Sequence, residues 1–275
     1  MAAHHGYYQE LLQDFDAYEN PSTSPNGVHL GHQKALLTAT TPDDSDTDDI
    51  GSSYFRATAA QMNLASSTGI PLSRWKEIAT TVLPKSMGDN RIERQRMLQI
   101  PASDANLFFG ITWGRKLVHH ATDNAALNDE QWGTCPGKSA IDVVLLKHLT
   151  YSMFHLTHTG GGTFDNDAKS CYDRIVIALS NLRSHQLGIP TSTCLLLERF
   201  LANARYRLRT GLGLSKEYYC TSDGAYLHGP GQGSREGPCL WLITSTLAMD
   251  CMPKGASPLE FTDPNMSTYS RRYMD

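Results

Sequence analysis

The sequence predicts an α+β fold, and three observations carry that reading. Apolar residues recur at helical spacing through most of residues 54–158, the pattern of amphipathic helices. Strand-like alternation is concentrated later, at 163–167 and within 205–228, where a strand turns successive side chains to opposite faces. The two kinds of segment do not alternate strictly, which argues against a doubly wound parallel sheet. A chain of 275 residues has ample length to bury a core, as one large domain or two small ones.

The elements follow in order. Residues 1–20 carry a short amphipathic pattern on Tyr7, Leu11, Leu12, Phe15 and Tyr18, stopped by Pro21. Ser22 to Gly27 is a turn cluster, and His29 to Leu37 reads as a second short helix. Thr38 to Ser53 is polar and carries Asp43, Asp44, Asp46, Asp48 and Asp49. It reads as an exposed loop, because these carboxylates lack the glycine and glutamate spacing of a calcium loop. Phe55, Ala59, Met62 and Leu64 give the next helix a buried stripe before Gly69. Another helix is expected from Pro71 to about Leu83, with Ser73 as N-cap and Pro84 as stop. Met97 to Ile100 is a short strand, and a helix spans about 104–124 on Leu107, Phe108, Ile111, Trp113 and Leu117. A glycine-containing loop at 131–137 leads into a helix over about 139–158, broken by Gly160-Gly161-Gly162. An aspartate-bearing strand then enters a helix over about 172–186, closed by Gly188 and Pro190. A helix at 193–204, strands within 205–228, a glycine-rich turn at 229–237 and an apolar helix at about 240–249 complete the order.

Composition narrows the function classes. Apolar residues are 40% and charged residues 19% of the chain, ordinary values for a soluble protein. No apolar run approaches a membrane span, and the first thirty residues lack the order of a secretory signal. Cys135, Cys171, Cys194, Cys220, Cys239 and Cys251 form no C-x-x-C pair and read as reduced thiols inside a cell. The net charge of −4 argues against a wholly basic nucleic-acid binder. It leaves room for a local basic channel from Arg91, Arg94, Arg96, Arg115, Lys116, Arg205, Arg207, Arg209 and Lys216.

The most informative stretch is Thr163-Phe164-Asp165-Asn166-Asp167-Ala168-Lys169-Ser170-Cys171-Tyr172-Asp173-Arg174-Ile175. Asp165 and Asp167 share one face of a strand. Carboxylates clustered at a strand end suit Mg²⁺ held beside a phosphate. A second stretch, Gly229-Pro230-Gly231-Gln232-Gly233-Ser234-Arg235-Glu236-Gly237-Pro238, combines close-approach glycines with an amide that both donates and accepts. A third, Gln131-Trp132-Gly133-Thr134-Cys135-Pro136-Gly137-Lys138-Ser139-Ala140-Ile141-Asp142, precedes a helix. A fourth pairs Leu83-Pro84-Lys85 with Arg96-Met97-Leu98, and a fifth is the turn from Thr23 to His32. His29 and His32 stand at helical spacing without a third ligand nearby, so capping and packing are preferred to a metal role.

These five elements, in this order, resemble the reverse transcriptases of retroelements, in particular those without long terminal repeats. Asp167, Tyr172 and Asp173 match the family's first catalytic motif. Gly229, Gln232, Gly233 and Pro238 match G-x-x-Q-G-x-x-x-S-P, with Gly237 where the family has Ser. Gln131, Gly133, Gly137, Ser139 and Asp142 match a template-side element, with Thr134 in place of its aromatic residue. Lys85 and Arg96 match a fingers element that lacks its usual Pro here.

The resemblance implies the fingers and partial palm of a right-hand polymerase, with a helix-rich N-terminal half and an incomplete antiparallel palm sheet. It implies an N-terminal segment over 1–52, fingers over 53–160 and palm over 161–275. It leaves open whether 185–228 returns to the fingers. Asp167 would be the metal-binding carboxylate with Asp165 as its rival, and Mg²⁺ or Mn²⁺ the cofactor. Tyr172 would reject a 2′-hydroxyl, Lys85 and Arg96 would neutralise a triphosphate, and Gln232 and Gly233 would lie at the nucleotide. Gln131 and Gly133 would pack on the template side. Template-primer of RNA or DNA and deoxynucleoside triphosphates would be the partners. The family also needs an x-x-Asp-Asp box. Tyr273-Met274-Asp275 falls roughly where that box should begin, which makes Asp275 its candidate carboxylate. The expectation is thus a fragment cut near that box, without a thumb and inactive by itself. The alternatives are a non-catalytic remnant that binds nucleic acid or protein and, ranked last, a metal-dependent phosphohydrolase.

Overall fold

The computed structural model describes residues 50–86, 94–128, 131–161, 170–220 and 228–251, with single positions at 24, 25, 27, 28, 31, 35, 88, 91 and 168. The amphipathic pattern of 1–20, most of the acidic loop, the strand at 163–167 and the C-terminal tail lie outside the described residues. The expected turn near residue 25 is present, with Gly27 N–H donating to Ser24 O at 3.0 Å.

Helix α1, Ile50–Thr68, starts inside the stretch expected as loop. It buries Phe55, Ala59, Met62 and Ala65 on one face, as helical spacing requires. Leu64, expected in that stripe, is exposed, since its neighbour Ala65 holds the inward position. The helix stops at Gly69, whose φ of 66° is a left-handed C-terminal turn. Arg199 Nη1 donates to Gly69 O at 2.9 Å.

The helix expected over 71–83 is not formed. A single 3₁₀ turn, Ser73–Trp75, precedes strand β1, Glu77–Pro84. Ile78, Thr80, Thr81 and Val82 are β-branched, and their stiff side chains suit a strand better than a helix. Ser73 does not cap the turn: Leu72 holds the N-cap position without a side-chain bond.

Strand β2, Gln95–Ile100, pairs antiparallel with β1, aligning Ala79 with Ile100 and Leu83 with Arg96. Strand β3, Arg205–Thr210, pairs parallel with β1, and β4, Gly213–Leu214, closes a hairpin on β3. The sheet order β2-β1-β3-β4 is therefore mixed, with β1 in the interior. The late strands were expected to be antiparallel, and β3 pairs so with β4 and, at Tyr206, with Tyr219; the difference is that β3 also crosses back to β1, where the long connection before it permits parallel pairing.

Residues 103–123 form the expected long helix in three parts: α2, Ser103–Phe109, a π-helical stretch, Gly110–Leu117, and α3, Val118–Asp123. Its inner face meets an aromatic cluster. Phe109 lies 4.9 Å from Phe200 and 5.8 Å from Trp113, and Trp75 lies 5.9 Å from Phe108. Trp113 Nε1 donates to Ser184 Oγ at 3.0 Å. Beside the cluster, the buried Asp104 Oδ2 accepts from Trp75 Nε1 at 2.8 Å and from Arg74 Nε at 2.7 Å.

Helix α4, Ala140–Thr157, begins with a capping box between Ser139 and Asp142. Only Phe154 is buried on it, and Ile141, Leu145, Leu149 and Leu156 are exposed. The helix expected over 172–186 is split. A 3₁₀ turn, Tyr172–Arg174, and extended backbone at Ile175 and Val176 precede α5, Ile177–Gln186. Helices α6, Thr191–Ala202, and α7, Gly237–Cys251, complete the description. One core draws on both sides of residue 160, from Phe55 on α1 to Ile243 on α7. All six cysteines are free, with Cys135, Cys194 and Cys239 buried. Among the described residues, no helix is long and apolar enough to cross a membrane.

Asp104 ties the first turn after α1 to the aromatic core, so its loss should be felt. Asp104→Ala strands the buried Trp75 N–H and should cost about 2–3 kcal/mol in urea unfolding. A cost below about 1 kcal/mol would show that the tie is dispensable.

Candidate functional site

The glycine-rich turn at 229–237 is where the separate sequence elements meet. Its first residue sits on the 3₁₀ turn of Tyr172–Arg174. Gly229 N–H donates to Asp173 O at 3.1 Å. A Cβ at Gly229 would collide with the Tyr172 carbonyl oxygen, so a glycine is required there for contact rather than for flexibility. Tyr172 is half-buried against the core, and its Cδ1 lies 3.5 Å from where a Cβ on Gly237 would be. Burial, then the neighbouring Cys171, pushes the Tyr172 phenol up from its ordinary value, so it stays protonated near neutral pH.

The middle of the turn sits on β2. Gln99 N–H donates to Gln232 O at 2.7 Å, and Leu98 bridges Gln232 in parallel register. Gly231 and Gly233 have φ of 77° and 107°, conformations that L side chains rarely adopt. A Cβ at Gly231 would overlap the Gln99 side chain, and one at Gly233 would lie 2.8 Å from Gln99 O. Arg96 is two residues along β2 from Leu98, about 7 Å at the usual strand rise. It shares the face of β2 to which Leu98 belongs.

The end of the turn reaches the long helix. Arg235 N–H donates to Asn106 Oδ1 at 2.8 Å. A Cβ on Gly110 would be 2.9 Å from Arg235 Cβ, and one on Gly114 would be 3.2 Å from Arg235 O. Glycines four apart on the π-helical stretch thus open a groove for this strand of the turn.

The remaining candidates divide. Gln131 is buried, and its Nε2 donates to Ser245 Oγ on α7 at 3.3 Å. Lys138 Nζ donates to Gln131 O at 2.8 Å, closing the 131–138 loop upon itself. Gly133 is exposed, with open space where a Cβ would stand. Lys85 and Arg96 are exposed at the loop end of the β1–β2 hairpin, where Lys85 N–H donates to Arg94 O at 3.3 Å. Asp165, Asp167 and Asp275 lie outside the described residues. Among the described residues, no cluster of three or more His, Cys, Asp or Glu could hold a metal ion. The structure therefore brings together Tyr172, Asp173, Gln232, Gly233 and the strand bearing Arg96, while Gln131 packs against α7.

Besides His228, whose Nε2 lies 2.7 Å from Gln99 Nε2, sequence reasoning missed two members of this assembly. Gln99 fills the space under the turn, and its only signal was the glycine pair 231 and 233, which announced a close approach without naming the partner. Glu236 is the other. It is almost wholly buried, and its Oε2 has no hydrogen-bond partner. Burial pushes its carboxyl from 4.5 up to about 7, opposed by hydrogen bonds from its own backbone and from Ser234. No family model matches the chain, and no curated protein matches it.

Gly229→Ala must displace the Tyr172 carbonyl and should cost about 2 kcal/mol or more in stability; an unchanged urea midpoint would contradict the packing. For Glu236, the folded value of about 7 exceeds the ordinary 4.5, so folding takes up a proton between them. The stabilisation is complete below about pH 4.5 and is lost as pH rises through about 7. The shift corresponds to about 3 kcal/mol at most. Glu236→Gln should flatten that part of the stability profile, and an equal slope in both proteins would contradict the assignment.

Proposed function

We propose that this chain is the fingers and part of the palm of a retroelement reverse transcriptase, which binds template-primer and nucleotide for RNA-directed DNA synthesis. One observation supports this above the others. Segments distant in the sequence, matching three of the family's elements, pack on one another at Tyr172–Asp173, Leu98 and Gly229–Gly233. Nothing in a shared core alone requires those three segments to touch.

On this reading, Lys85 and Arg96 extend over the triphosphate as cations on the hairpin. Arg96 suits the role because its planar fork pairs with phosphate oxygens. Tyr172 closes the sugar side, where a ring under C2′ leaves no room for a hydroxyl. Gln232 and Gly233 face the nascent base pair, and Gln131 braces the template side against α7. Asp167, with Asp165 as the alternative, would hold Mg²⁺ or Mn²⁺. Bound there with a second ion, such a metal would supply activation of the primer hydroxyl and charge stabilisation for the leaving pyrophosphate. Asp275 would belong to the second carboxylate set. No Asp-Asp pair occurs after residue 238 of this chain, so the chain by itself binds without extending a primer.

The test is binding of a labelled primed RNA template as a function of salt. Affinity should fall steeply with salt, and Lys85→Ala or Arg96→Ala should each weaken binding of the complementary deoxynucleoside triphosphate to that complex about tenfold. Template affinity that is flat in salt, or nucleotide binding unchanged by both substitutions, would contradict the reading. Primer extension with Mg²⁺ by the 275-residue chain, abolished by Asp167→Ala, would overturn the statement that it only binds.

A further inference from the structure

We propose that Gln99 and His228 are positioning residues that lock strand β2 to the 229–233 turn, so that Arg96 and Gln232 meet a ligand as one rigid unit. The lock stands on geometry alone; the ligand it serves rests on the polymerase reading above.

Gln99 holds the turn in three separate ways. Its backbone N–H donates to Gln232 O at 2.7 Å. Its side chain fills the space that a Cβ at Gly231 would take. Its Nε2 lies 2.7 Å from His228 Nε2, and His228 Nδ1 lies 2.7 Å from Gly229 O. The last pair constrains the hydrogens. Gly229 O can only accept, so Nδ1 carries a hydrogen. Gln99 Nε2 can only donate, so His228 Nε2 is the bare acceptor. With the Gln99 amide in this orientation, the ring donates from Nδ1 and accepts at Nε2. Turning the Gln99 amide over would present an oxygen to Nε2 and require a proton on both ring nitrogens.

The ring is held in place from behind. Tyr206 on β3 lies 4.9 Å from His228 and stacks on Tyr219 at 5.1 Å. Tyr219 Oη and Thr80 Oγ1 are 3.0 Å apart, which anchors the stack to β1. Residues of β2 and β3 thus meet at one imidazole, with β1 behind the tyrosine stack, and the imidazole and Gln99 together grip the turn. Gln99 is itself buried, so the link is shielded from competing water.

The experiment uses the whole chain labelled with ¹⁵N-histidine, with the His228 signals assigned by their loss in His228→Gln. The expected spectrum at neutral pH shows Nδ1 protonated and Nε2 a bare, hydrogen-bonded acceptor. In Gln99→Met, which keeps the volume and the backbone bond, the Nε2 signal should shift as its donor is lost. A His228 signal unmoved by Gln99→Met overturns the lock. A second arm measures binding of a primed RNA template with the complementary or a mismatched deoxynucleoside triphosphate. Gln99→Met should lose about tenfold of the preference for the complementary nucleotide while keeping the salt slope of the wild type. Retention of the full preference overturns the positioning role. If the wild type itself shows no preference, the polymerase reading fails, and the nitrogen spectra still decide the lock.

Discussion

The site is organised by the absence of side chains at Gly229, Gly231 and Gly233. At each of these a Cβ would meet a neighbour: the Tyr172 carbonyl, the Gln99 side chain and the Gln99 carbonyl. Backbone against backbone is the closest approach two segments can make, and it draws the 3₁₀ turn, strand β2 and the start of α7 to one place. Every other arrangement at the site follows from that approach. Gln232 is held in register because its neighbours on either side are pinned, and Arg96 stands near it because Leu98 bridges Gln232.

The core supplies the platform. The aromatic cluster of Trp75, Phe108, Phe109, Trp113 and Phe200 joins the helices to the beginning of β1. Aromatic pairs at these separations add to the burial of large apolar surface. Asp104 completes the join by accepting from both Arg74 and Trp75. The glycine groove at Gly110 and Gly114 then carries this rigidity to Arg235, at the far end of the turn. Buried at that end, Glu236 is a cost that the assembly bears without a hydrogen bond to Oε2.

Much of the fold was legible in the sequence. The helices over 104–124, 139–158, 193–204 and 240–249 were readable from their apolar period and their stops, and the structure has them within a few residues. The segment after Pro71 was not. Its apolar residues fit a helix as well as a strand, and only the β-branched run at Ile78 to Val82, paired on both sides, decides for the strand. The parallel pairing of β3 with β1 depends on contacts far apart in sequence, which local pattern cannot supply. At the site, the turn itself was legible from its glycines and prolines, while Gln99, His228 and Glu236 were not. A glutamine in a short strand and a glutamate at a helix start are common, and only the packed structure gives them roles.

Tyr172–Asp173, β2 and the 229–233 turn form one packed unit. Native-state hydrogen exchange tests it most directly, through two amides that join the parts: Gly229 N–H to Asp173 O and Gln99 N–H to Gln232 O. Both should be protected and open with the same free energy as the amides of α7, as members of one cooperative unit. Exchange of either amide at the rate of an open loop, while α7 stays protected, would contradict it.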